Sequence, residues 1–217
     1  MNIFKKIGRR SSGFTLIELL VVIAIIAILA VVVVLTLNPG QLLMQARDSN
    51  RVSDLATVKS AIGYYLEDVV TSTAGTGSAV SLTCYEDGPT YNGASATSSC
   101  PWFAGAASTT VISTSSRVTS VNTSWIPINL SLISVGSPLG QWPVDPVNTL
   151  GHASNGTNVG TTDHFYSFAA SSTVTGGFKL GVKMESTKYS NGGTGDVEST
   201  DGGTNPYAYE AGANLTL

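Results

Sequence analysis

Histidine and cysteine each occur twice in this 217-residue chain, and charged side chains make up only 12% of it. That charge share is about half of what soluble domains carry. His152 and His164 belong to no H-E-x-x-H pattern, and G-x-S-x-G, a P-loop and G-x-G-x-x-G are all missing. Serine is too abundant to single out a nucleophile, so catalysis is not expected. Basic residues are missing between Arg10 and Arg47. Lys5, Lys6, Arg9 and Arg10 crowd the start, leaving a mostly acidic remainder behind a formal net charge of -3. Nucleic acid is therefore not an expected partner.

What is there fits one membrane segment plus one modest globular domain, with 42% hydrophobic residues and a surface rich in Ser, Thr, Gly and Asn after Thr71. Cys84 and Cys100 lie in a stretch rich in Gly, Ser and Thr, with no nearby histidine to complete a zinc site. A disulfide between them is the simplest reading, with two free thiols as the alternative. Closing that loop would stabilise the fold by roughly 3 kcal/mol in an oxidising compartment.

Residues 14–37 carry a single charge, Glu18. As a helix rising about 1.5 Å per residue they reach roughly 36 Å, enough to cross a bilayer. With cations only before this run, the positive-inside rule keeps the N-terminus in the cytoplasm and sends the C-terminal part outward. A secretory signal would have a shorter apolar region with its cleavage site behind it. Here the suitable small residue, Gly13, stands in front. A protease at the cytoplasmic face would remove residues 1–13 and leave the helix whole, starting at Phe14. Glu18 near the helix end costs up to about 3 kcal/mol without a partner. The amine that cleavage exposes on Phe14 of a neighbouring subunit is a suitable one.

The string GFTLIELLVVIAIIAILA, from Gly13 onward, resembles the class III signal of type IV pilins and type II secretion pseudopilins. The resemblance implies cleavage by a prepilin peptidase between Gly13 and Phe14, N-methylation of Phe14, and an assembly role for Glu18. It further implies an assembly ATPase with its membrane platform, and other pilin or pseudopilin subunits, as partners in a homo-oligomeric filament. The alternative is a signal-anchored surface adhesin or binding protein that does not polymerise.

Asn38-Pro39-Gly40 should break the helix where the span ends. Leu55, Val58, Ile62, Tyr65, Leu66 and Val69 then recur at helical spacing, predicting an amphipathic helix over 38–70 with Asp48, Arg51, Asp54 and Lys59 pointing elsewhere. In the exported part, 71–217, the clearest strand is 178–184, where Phe178, Leu180, Val182 and Met184 alternate with Lys179, Gly181 and Lys183. Residues 165–170 precede it as a hairpin partner. Weaker strands are expected at 126–133, 109–112 and 117–121. The expected class is α+β: a long N-terminal helix packed against a small antiparallel sheet, as the pilin resemblance also implies.

Trp142-Pro143-Val144-Asp145-Pro146 resembles the loop before the sheet in major pseudopilins, and reads equally as a rigid proline turn with Trp142 plugging the core. Residues 192–203 concentrate Asp196, Glu198 and Asp201 among glycines. Because major pseudopilins hold calcium in a C-terminal loop, the resemblance carries calcium over to these three carboxylates. A solvated acidic loop is the plainer reading, and no other cofactor is expected.

Overall fold

The computed structural model describes residues 13–69, 83–87, 111–114, 116–120, 124–148, 164–170 and 177–216, with the backbone path alone at 83–87 and 111–114. Contacts divide the chain into two compact units, Met1–Leu42 and Leu43–Leu217.

In the first unit, helix α1 spans Leu16–Leu37 and buries no residue. Thr15 caps it in extended conformation, and its last turn passes into Asn38, whose φ of 40° is left-handed. Asparagine tolerates that region better than most residues, and the proline behind it cannot donate to a continuing helix. Pro39 instead opens helix α2, Pro39–Asp68. Proline suits a first helical position because the N–H it lacks would have no intrahelical acceptor there. The break is thus confined to one residue.

Helix α2 buries Leu55, Val58, Ala61, Ile62 and Tyr65. They join Trp125, Trp142, Tyr166, Phe168, Phe178, Leu180 and Val182 in one core. Each large apolar side chain so buried stabilises the fold by about 1.5–3 kcal/mol. At the helix end, Asp68 Oδ2 accepts the Ser134 backbone N–H at 2.5 Å and Oδ1 accepts its hydroxyl at 2.8 Å, fastening α2 to a distant loop.

The sheet contains β1 (Thr83–Asp87), β2 (Val111–Thr114), β3 (Ser167–Ala170), β4 (Phe178–Val182) and β5 (Tyr209–Gly212) in the order β2-β1-β3-β4-β5. Pairing is antiparallel from β1 through β5, and β2 joins β1 in parallel. The α+β class is as expected, although the sheet gains a parallel edge.

Several local expectations need correction. Strand β4 does not have one solvated face, since all five of its residues are buried. Residues 126–133 are not a strand but an irregular segment closing in a 3₁₀ turn, Leu130–Leu132. Its apolar residues are nonetheless covered, for Ile126, Ile128, Leu130 and Ile133 are all buried. Pro127 has no N–H for a ladder, however, and Asn129 Oδ1 takes the Ser131 backbone N–H at 3.0 Å. Around Arg117 there is only an isolated bridge, Val118 to Gln141. Strands β1 and β5 were not expected, and β2 begins two residues beyond the start of the predicted 109–112 segment.

Candidate functional site

The N-terminal signal residues occupy one exposed helix start. Gly13 has no positive φ, and a Cβ there would meet nothing within 4 Å. Nothing within the described fold requires glycine there. Phe14 is 91% exposed. Thr15 and Glu18 form a capping box: the Thr15 backbone N–H donates to Glu18 Oε2 at 2.8 Å, as does the Thr15 hydroxyl, and the Glu18 backbone N–H donates back to Oγ1 at 3.3 Å. Glu18 is therefore held inward by its own helix start through Oε2. Its other oxygen is turned toward no bond among the described residues.

From this start runs a 22-residue apolar helix long enough to cross a membrane. Its β-branched residues would be mediocre helix formers in water. In lipid, backbone polar groups must be paired within the segment, and a helix does this for all but its end turns.

The second constellation ties α2 to the loops before and after the sheet. Arg51, fully buried, donates to both oxygens of Asp145, from Nε at 2.6 Å and from Nη2 at 2.8 Å. Its Nη1 reaches Asp48 Oδ1 at 2.8 Å, and Nη2 also meets Glu185 Oε1. Asp48 in turn accepts the backbone N–H groups of Glu185 at 2.9 Å and Ser186 at 2.8 Å. Arg47 closes the group by pairing with Glu185 Oε2 at 2.5 Å. Burial alone would pull Arg51 down, but Asp145 and Glu185 outweigh it and keep the guanidinium charged. Burial likewise pushes Glu185 up, and the hydrogen bonds from Arg47 and Arg51 overcome this to hold it below the usual carboxylate range.

This overturns the expectation that Asp48 and Arg51 point away from the core. The signal was in the spacing: Asp48, Arg51, Leu55, Val58, Ile62 and Tyr65 share one run of three- and four-residue steps. In the Trp142 to Pro146 stretch, Trp142 is fully buried in the core, as the proline-turn reading expects, and Asp145 accepts from Arg51, which the sequence reading did not foresee.

The three C-terminal carboxylates stand apart in role. Asp196 accepts the backbone N–H groups of Gly192 at 2.8 Å and Ser199 at 3.0 Å, and the Ser199 hydroxyl holds it below its usual range. Glu198 is buried, with Oε1 accepting Met184 N–H at 2.8 Å and Oε2 accepting Asn191 N–H at 2.9 Å. Burial pushes it up despite those bonds. Asp201 Oδ1 accepts Gly203 N–H at 2.7 Å, and Oδ2 accepts the Glu210 N–H. All six carboxylate oxygens face backbone amides. Among the described residues no three His, Cys, Asp or Glu side chains gather as a metal ion requires. The arrangement as it stands fits a calcium ion poorly, because the oxygens it would need are turned toward N–H donors.

Cys84 lies in β1, in register with Ala169 and Val111, whereas Cys100 falls outside the described residues, and with it the disulfide. His152 also falls outside them. His164 is half-buried with a lowered pKa caused first by burial.

The chain matches no curated protein and no solved structure. Residues 8–34 match the family described as the prokaryotic N-terminal methylation motif. That stretch covers the end of the basic leader, Gly13, Phe14, the capping box and most of α1. The chain thus carries an N-terminal methylation motif, a class III signal of the kind typical of type IV pilins and pseudopilins.

Proposed function

We propose that the protein is a structural subunit of a type IV pilus-like or type II secretion pseudopilus filament, cut between Gly13 and Phe14 and polymerised through α1. The observation that carries this reading is a 22-residue helix, apolar throughout and burying none of its residues, that opens at the methylation motif on a capping box containing Glu18. An apolar helix that buries none of its residues is suited to lipid or to other copies of itself around it.

In this reading the subunit sits first in the membrane as a single-pass protein, N-terminus inside and the C-terminal domain, residues 71–217, exported. A prepilin peptidase removes 1–13 and methylates Phe14. An assembly ATPase and its platform then move the subunit into a fibre, where packing between α1 helices replaces lipid contact, so the motor supplies only the difference.

Glu18 is the assembly residue in this scheme. The capping box fixes the carboxylate through Oε2 and leaves Oε1 toward the outside, where the Phe14 amine of an adjacent subunit can pair with it. Breaking such a buried pair leaves one charge unpaired, at a cost of about 3–5 kcal/mol. Disulfide trapping between cysteines placed along α1 of neighbouring subunits tests the idea. Trapping in one fixed stagger, lost on Glu18→Leu, is the expected result. Equal trapping in the variant would remove Glu18 from assembly.

A further inference from the structure

The face of the sheet opposite the hydrophobic core carries Ser167, Ala169, Lys179, Gly181, Glu210 and Gly212, by the antiparallel register. Among these small neighbours Lys179 is 0% exposed and Glu210 2%. Lys179 Nζ donates to Thr204 Oγ1 at 3.0 Å and to the Leu215 carbonyl at 3.2 Å. It also meets Glu210 Oε1, yet among the described residues that oxygen receives no hydrogen bond, so the approach is not along a donor axis. An amine is thus held against a carboxyl group while two of its hydrogens are directed elsewhere. That is the disposition of a nucleophile beside an acyl carbon.

The surroundings complete the chemistry. Glu210 Oε2 accepts the Asn205 backbone N–H at 3.2 Å, a donor placed to stabilise charge developing on that oxygen. Asp201 adjoins the pair, accepting the Glu210 backbone N–H and feeling the Lys179 charge. Burial pushes its carboxyl up from the ordinary value, against the pull of the Gly203 and Glu210 backbone N–H groups. The loop between them closes directly on the carboxyl group, for a Cβ on Gly203 would overlap Glu210 Oε2.

We propose that Lys179 and Glu210 join in an intramolecular isopeptide bond that staples β4 to β5. Proton transfer within the buried pair gives a neutral amine and a carboxylic acid. The Nζ lone pair adds to Glu210 Cδ, the nitrogen gives a proton to the Asp201 carboxylate, and the Cδ–O bond breaks as Asp201 passes that proton to the departing hydroxyl, which leaves as water. One amide forms and one water leaves, with no oxidant or co-reactant. Two buried charges are replaced by a neutral amide, which removes their desolvation cost. Holding the amine against the carboxyl group makes the step intramolecular, which in well-oriented cases acts as an effective concentration of about 10⁵ M or more and lowers the barrier to bond formation.

Intact-mass spectrometry of the purified, denatured full chain tests this directly. The expected mass is one water below that of the sequence, after any N-terminal processing is accounted for, and digestion should yield a branched peptide joining Lys179 to Glu210. Lys179→Met should have its full sequence mass, and Asp201→Asn should accumulate uncrosslinked chain. A wild-type mass equal to the sequence, with Lys179 and Glu210 in separate linear peptides, would overturn the proposal. So would the loss of one water in Lys179→Met.

Discussion

Arg51 gathers more charged partners than any other side chain described, and its value to the fold depends on their all being present. Removing the guanidinium takes away the cation that Asp48 and Asp145, both buried, share. Arg51→Ala should therefore cost about 3–5 kcal/mol, seen as a large drop in denaturation midpoint. A loss below about 1 kcal/mol would mean that water reaches the site. Glu185 gives the same cluster a pH dependence. Its folded pKa lies below the ordinary 4.5, so its contribution is fully present above that value and is lost as pH falls through the folded pKa. Glu198 and Asp201 act in the opposite direction, since burial raises both and acid relieves their charging. Comparing wild type with Glu185→Gln isolates the first effect: the stability gap should be wide at neutral pH and close under acid conditions.

At the scale of elements, the two helices differ in how they are stabilised. Helix α2 depends on its buried stripe, so Ile62→Ala should cost about 2–5 kcal/mol, whereas Tyr64→Ala, on a residue 64% exposed, should stay within about 0.5 kcal/mol. Chemical denaturation of both variants in detergent checks the contrast. Helix α1 has no such stripe, and its start is fixed by the Thr15 and Glu18 capping box. Thr15→Ala should cost about 1 kcal/mol of local helix stability, visible as fraying of the first turn in amide exchange. The α2 stripe was legible because helical periodicity survives in sequence, and the span and signal were legible because composition alone nearly specifies them. Strand β5 was not: Tyr209–Gly212 follows a long Gly-rich loop, and its place beside β4 is set by long-range pairing that four residues cannot announce. Lys179 was misread for a related reason. Alternation marks two faces of a strand, but whether the second face meets water depends on chain from elsewhere, here the loop around Thr204 and the Leu215 carbonyl.

As a whole molecule, the chain combines a unit whose described helix buries nothing with a unit that buries a full aromatic core. That division is what a subunit needs if it folds on one side of a membrane and polymerises through the other part. The filament reading makes one demand before any other, which is that residues 1–13 be removed and the new terminus modified. The decisive measurement is mass spectrometry of the N-terminal peptide from chain coexpressed with a prepilin peptidase and recovered from sheared surface fibres. The prediction is a peptide beginning at Phe14 and carrying one methyl group on its amine. Fibres that lack the chain, or a chain that still begins at Met1, would contradict it.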